Sequence, residues 1–400
     1  MISHSNLTHK SISILIFVTI ASFYFLPKIG YFVLLTIALS LIGLFSLKEI
    51  KKTFQKWEIV FIGSFVCYFL LALFNVIYFD INFREIDNAS RFILVLPIFL
   101  YLRKFGISAK LIDYGLILAC LVIGINGVLS NIYELASIPI ASYYGESLYA
   151  GTFGVSLLFF ASQIKEFKKR FLYLIPALFA LFSSFIAMGR GALMGTFLSI
   201  ILIVLIFFRK NKIIPIVSLL ISLIAFSFLM PVEKFRKIED ILPQTMNYFE
   251  DGAIVNSSLG HRFEMWKSAL IIAKNNHFQG IGVTNYKKEK KRLIENNIID
   301  PTIEKYNHPH SEILSSLVNQ GVMGLASLML ILWFPIVIAV NSIKSDNESL
   351  RKLGILLFSI GVHYLIYAIG NATFYHQHMT IFYAYFVAIS LGIYSYYSKT

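Results

Sequence analysis

The stretch Asn307–Val340, NHPHSEILSSLVNQGVMGLASLMLILWFPIVIAV, changes character part-way along. It opens with two histidines flanking Pro309, and from Val322 to Val340 it carries no charged residue. A hydrocarbon layer of ~30 Å needs ~20 apolar residues in a helix rising ~1.5 Å per residue. Val322–Val340 is therefore read as a membrane span, and His308 and His310 stand at its polar edge.

Working outward, similar apolar runs recur along most of the chain. They fall at Ser11–Leu26, Ile29–Leu47, Ile59–Phe79, Ala89–Leu102, Leu111–Ser130, Ser147–Ile164, Phe171–Met188, Gly191–Phe208, Ile213–Met230, Val322–Val340, Leu353–Gly370 and Met379–Tyr397. The runs are continuous rather than alternating, and backbone groups in lipid must be paired internally, so they predict helices. Composition agrees: of 400 residues 57% are hydrophobic and 14% charged, with mean hydropathy +0.71, against roughly 25% charged in soluble domains. The expected fold class is an all-α polytopic membrane protein of about twelve transmembrane helices. Residues 1–230 hold spans one to nine, 231–308 form one large loop domain, and 309–400 hold the last three spans. The first span is followed almost at once by the second, so it reads as a retained anchor and not a cleaved signal.

Lys and Arg set the orientation. With the N-terminus inside, the inner connections hold Lys48, Lys51, Lys52 and Lys56, then Arg103 and Lys104, then Lys165 to Arg170, Arg209 to Lys212, and Lys344 to Lys352. Short outer connections and span ends hold only Lys28, Arg84, Arg91 and Arg190. Both termini are expected in the cytoplasm and the 231–308 loop outside. The net charge of +13 is thus mostly topological, and nucleic acid is not needed to explain it. Cys67 and Cys120 lie inside apolar runs and form neither a disulfide framework nor a thiolate metal site.

Within the loop, Leu259–Asn275 reads as an amphipathic helix with Leu259, Phe263, Trp266, Leu270 and Ala273 on one face, ended by Gly280-Ile281-Gly282. Lys287–Glu295 reads as a second helix whose basic run, Lys287, Lys288, Lys290, Lys291 and Arg292, is a solvated face or a headgroup contact.

Pro309 suits a first helical turn, which would put His310 near a helix N-terminus. The dipole there favours a neutral imidazole and attracts anions, while a bound anion favours imidazolium. Gly321, eleven residues on, would return to the same helical face, and Gly324 one turn later would allow close helix packing. His310 reads either as an interfacial residue closing a loop or as a general base. His308-x-His310 and His376-x-His378 offer four imidazoles, but no cysteine or carboxylate at ligand spacing joins them, so no metal is expected. Arg190, in Ala187-Met188-Gly189-Arg190-Gly191-Ala192, breaks the positive-inside trend and reads as a snorkelling residue or an anion contact. Arg262, one turn before Trp266, reads as a solvated charge or a cation–π partner.

Three motifs resemble the O-antigen ligase family, within the O-antigen ligase and polymerase superfamily of lipid-linked glycan transferases. They are His310-Ser311 with Gly321-x-x-Gly324, Gly189-Arg190-Gly191-Ala192, and Ser258-Leu259-Gly260-His261-Arg262 with Trp266 and Gly280-Ile281-Gly282. The His-x-His form is similar to some ligases. The resemblance implies a GT-C-type glycosyltransferase in the bacterial inner membrane with its active site facing the periplasm. The donor it implies is a glycan on undecaprenyl pyrophosphate, and the acceptor a sugar hydroxyl of lipid A–core oligosaccharide. It further implies a metal-independent, inverting transfer with no cofactor, His310 as catalytic base, and Arg190 and Arg262 on the pyrophosphate. His308, Ser311 and Trp266 are secondary candidates. An O-antigen polymerase or a protein O-oligosaccharyltransferase of the same superfamily is the nearest alternative. A transporter is a distant one, because His363 is the one clearly intramembrane ionisable residue.

Overall fold

A computed structural model describes residues 2–26, 28–45, 53–131, 145–187, 190–207, 241–250 and 257–399. The expected span Ile213–Met230 and the boundary at 230/231 lie outside the described residues. Those described are helical, with no strand among them.

Among the described residues six helices are long and apolar enough to cross a membrane: α3 (Lys56–Tyr78), α6 (Ala109–Asn131), α8 (Phe167–Ile186), α13 (Glu312–Ile343), α14 (Glu348–Gly370) and α15 (Gln377–Tyr397). The apolar helices α1 (Ile2–Ser22), α2 (Gly30–Phe45) and α9 (Arg190–Phe207) are shorter in their apolar part. Helix α7 (Glu146–Ser162) is buried along most of its length between α8, α9 and α14. At the centre stand α14 and α15, buried almost throughout, whereas α3 turns Ile59, Leu70, Phe74 and Ile77 outward, as lipid contact requires.

The expected single span Ala89–Leu102 is two short helices, α4 (Asp87–Leu94) and α5 (Leu96–Phe105). Pro97 explains the break at Val95: it has no N–H to continue the ladder, but it is tolerated in a first turn.

The bundle has two distinct ends. At one, Glu58 of α3 pairs with Arg103 of α5 at 2.9 Å and with Lys399 at 2.6 Å, and Asp113 of α6 pairs with Lys352 of α14 at 2.7 Å. Arg103, Lys352 and Lys399 all belong to connections that the Lys and Arg distribution reads as inner. Each buried charge there has a partner, which offsets the cost of removing it from water.

At the other end lies the loop domain: α10 (Ile241–Glu250), α11 (Ser258–Asn275) and α12 (Tyr286–Glu295). Ser257 caps α11, its hydroxyl accepting the Gly260 N–H at 3.0 Å. The α11 face that packs inward is not the expected one. Met265, Ala269, Ile272 and Ala273 are buried, while Leu270 is exposed and Phe263 and Trp266 are half-buried.

Helix α13 begins ten residues before the expected span and breaks at Gly321, whose backbone is left-handed with φ 67°. In a continuous helix the Val322 N–H would bond to the Val318 carbonyl. Instead it donates to the His277 carbonyl at 2.9 Å, while the Val318 and Asn319 carbonyls accept from Ile281 and Gly282 at 2.9 and 3.0 Å. The loop segment 277–282 therefore satisfies the groups that the break frees, as buried backbone requires. Asn75 of α3 locks the junction, donating to the Asn319 carbonyl at 2.8 Å and accepting from the Val283 N–H at 3.2 Å. Gly321 was expected to pack helix on helix. Its role here is a helix break against a loop, since a Cβ would lie 2.1 Å from the Phe278 carbonyl oxygen. A Cβ at Gly324 would meet the Gln320 side chain of its own helix.

Candidate active site

The histidine loop sits between α11, α12 and the first half of α13. Pro309 and His310 do not open the helix, contrary to the sequence expectation. The helix starts at Glu312, and Ser311 is its N-cap, accepting the Leu314 N–H at 3.3 Å. His310 has φ 51°, a left-handed backbone that is uncommon for a residue with a side chain and incompatible with helix. Its N–H donates to His308 Nδ1 at 3.2 Å, and the two rings stand 4.3 Å apart. Tyr306 meets the His310 ring edge-on at 5.3 Å, and its hydroxyl bonds His261 Nδ1 at 3.1 Å. The arginine helix α11 is thus coupled to the histidine loop through Tyr306.

Electrostatics brings Arg262 to His310. Burial pushes the His310 imidazole down to about 4, with the Arg262 charge and then His376 adding to the effect. His308 is also held at about 4, by burial first and then by His310, His376 and Lys290. Both rings are neutral near pH 7; His308 Nδ1 already accepts the His310 N–H, which leaves His310 as the ring to accept a proton. Burial likewise lowers His376, at the N-cap of α15, and His261.

What fixes the approach to His310 is Lys290. In the sequence it belongs to a run read as a solvated face, and Lys287, Lys288 and Lys291 are indeed exposed. Lys290 instead points inward, 0% exposed, and donates to the carbonyls of Ile303 at 2.7 Å, Glu304 at 3.0 Å and Tyr306. One ammonium therefore ties down the turn that leads into His308-Pro309-His310.

Arg190 opens α9, but its side chain lies outside the described residues, as does Gly189. The backbone at Gly191 lies against Tyr367 and Asn371, and the Asn371 carbonyl accepts the Glu312 N–H at 2.9 Å. The start of α9 is therefore at the same end of the bundle as the histidine loop. Ser311, besides its capping bond, donates to the Ala368 carbonyl at 3.4 Å, so its hydroxyl is engaged in structure. Trp266 stands edge-on to Phe263 at 5.8 Å. Among the described residues no group of three His, Cys, Asp or Glu side chains is placed to hold a metal ion.

Beside the loop opens a cavity of about 390 Å³, with His308 and Pro309 on its wall and Glu312 lining it. Glu312 is buried and accepts the Phe374 N–H at 2.9 Å. Sequence reasoning missed Glu312, Tyr306, His261 and Lys290. The signal for Lys290 was present: Tyr286, Lys290 and Leu293 recur at helical spacing, and Tyr286 is buried with it.

Comparison with known proteins shows a family likeness over part of the chain. Residues 175–329 match the O-antigen ligase family model. The matched region contains Arg190, Arg262, His310, Gly321 and Gly324, so the resemblance to the O-antigen ligase family is borne out over these residues. Members of that family are membrane glycosyltransferase-type enzymes, ligases or polymerases, which supports an enzymatic role of that broad kind. An uncharacterized protein of Haemophilus influenzae is 26% identical over 399 residues, covering 96% of this chain and 98% of that protein.

Proposed function

We propose that this protein is an O-antigen ligase. It takes a glycan from undecaprenyl pyrophosphate and transfers it to a sugar hydroxyl of lipid A–core oligosaccharide, on the periplasmic face of the bacterial inner membrane, with a GT-C-type architecture. The observation that carries this reading is the pairing of a half-buried, neutral His310 with the Arg262 charge at the loop end of the bundle.

In the reaction the acceptor oxygen forms a bond to C1 of the donor sugar. The C1–O bond to the pyrophosphate breaks, and the hydroxyl proton passes to His310. Pyrophosphate is a good leaving group, so no general acid is required. Arg262, with Arg190, stabilises the charge that develops on it, the kind of electrostatic assistance that is largest in a water-poor site. A histidine held at about 4 is unprotonated but a weak base. The donor's negative charge beside Arg262 offsets that cation and raises the basicity of His310 when the donor is in place. Attack and departure on opposite faces of C1 invert the anomeric centre, and no metal or cofactor takes part.

Deleting the gene tests the reading. Loss of a ligase leaves lipid A–core without O-antigen while long polymer accumulates on the lipid carrier. Core bearing a single repeat unit would identify a polymerase instead, and unchanged lipopolysaccharide would overturn both.

A further inference from the structure

The first half of α13 presents a polar stripe. Glu312, Ser315, Ser316, Asn319 and Gln320 follow one another at helical spacing and all line the 390 Å³ cavity beside His308. The opposite face of the same half-helix, Leu314, Leu317 and Val318, packs into the apolar cluster under the loop domain. A polar stripe facing an interior cavity is unusual because buried polar groups are normally paired. Here Ser315 Oγ, Ser316 Oγ, Asn319 Oδ1 and Gln320 Oε1 are buried without a hydrogen-bond partner. Ser315 and Ser316 are more than nine-tenths buried as residues.

The chemistry of that set selects its ligand. Two amide oxygens and a carboxylate accept hydrogen bonds, and two hydroxyls both accept and donate. Together they call for a partner rich in hydroxyl donors. Tyr68 and Phe374 supply aromatic surface on the same wall, which suits the C–H face of a sugar ring. The volume lies at the small end of ligand pockets, about 300–1,000 Å³, and fits a mono- or disaccharide better than a chain. Among the described lining residues no arginine appears, and Lys287 is the one cation against the carboxylates of Glu312 and Glu85. A pyrophosphate is therefore disfavoured there.

We infer that this cavity binds the terminal sugar of the acceptor, with Ser315, Ser316, Asn319 and Gln320 as its hydrogen-bonding face. The inference rests on the ligase reading. His308 is on the wall of the cavity and its ring lies 4.3 Å from that of His310, so an acceptor hydroxyl leaving the cavity past His308 meets the base.

The test uses the full-length protein, purified, with a defined undecaprenyl-pyrophosphate glycan and with core oligosaccharide on lipid A. Two variants are compared with wild type, the double substitution Ser315→Ala with Ser316→Ala, and Gln320→Met. The acceptor KM rises about tenfold or more in each, while the donor KM and kcat stay within a few-fold. A rise in donor KM with the acceptor KM unchanged would overturn the assignment, as would no change in either. A second measurement needs no turnover. Delipidated core oligosaccharide raises the melting temperature of the wild type and not that of the double variant, whose ligand-free melting temperature is unchanged. An equal shift in both, or none in the wild type, contradicts the inference. Wild type that binds the oligosaccharide but transfers nothing to it would refute the ligase reading and leave the sugar site standing.

Discussion

Lys290→Met tests how the histidine loop is held. Methionine keeps most of the stem's volume and removes every donor. The three carbonyls it abandons belong to Ile303, Glu304 and Tyr306, and His308 and His310 follow within four residues. A hydrogen bond to a charged group contributes about 1.5–3 kcal/mol. These three share one ammonium and one desolvation cost, so they do not add. One of the carbonyls belongs to an exposed residue, Glu304, and another to half-buried Tyr306, and these can rehydrate once the turn opens. Taking the set at about 2–3 kcal/mol, and about 1.4 kcal/mol per factor of ten, the open-to-closed ratio of the turn rises roughly 30- to 140-fold. Hydrogen exchange reads this directly. The amides of Glu304 and Tyr306, which donate to Pro301 and Ile303, and that of His310, lose protection by that factor. Amides in the middle of α14 do not change. Glycan transfer falls by about tenfold or more, because a base misplaced by about an ångström loses much of its effect. Unchanged exchange over residues 303–311 with unchanged transfer would refute the clamp.

Three further outcomes follow from the same geometry. The acid limb of kcat/KM lies near pH 4 and not near the ordinary histidine value of 6.5, because the folded state favours neutral His310. By the same sign, its contribution to stability is complete above 6.5 and is lost as pH falls through 4; a limb at 6.5 or above in a kcat/KM profile contradicts it. Gly321→Ala places a Cβ 2.1 Å from the Phe278 carbonyl at a left-handed φ, so it detaches segment 277–282 from α13. Limited proteolysis after residue 275 then accelerates strongly, and wild-type resistance would argue against the junction. Ser311→Ala removes a helix cap and costs about 0.5–2 kcal/mol in thermal stability, with transfer retained within a few-fold; loss of transfer in a stable variant would move Ser311 into the chemistry.

Much of the architecture was legible because lipid imposes a simple rule. Long uncharged runs gave α3, α6, α8, α14 and α15 nearly at their observed places, and helical spacing of apolar residues gave α11, with the basic stretch after its glycines giving α12. Sequence periodicity failed where distant segments decide the backbone. Gly321 looked like a packing glycine, because nothing local says that residues 277–282 dock across it. Pro309 looked like a first-turn proline, but Ser311 is the cap and His310 is left-handed. The basic run Lys287–Arg292 looked uniformly solvated, yet one residue in it faces the carbonyls of a turn more than ten residues downstream. For the site, the sequence reading put His310 and Arg262 together as candidates, and the charge of Arg262 acts on His310. Glu312 and the serine–amide stripe were passed over because they sit in the short polar half of the helix, between the histidines and the membrane span that the sequence reading began at Val322.

The most direct measurement of the central claim is transfer by the purified protein from a defined undecaprenyl-pyrophosphate glycan to lipid A–core, with released undecaprenyl pyrophosphate quantified alongside. Wild type gives one carrier released per glycan transferred, and His310→Ala and Arg262→Ala, inserted and folded as wild type, give none. Transfer surviving in both variants would contradict the account.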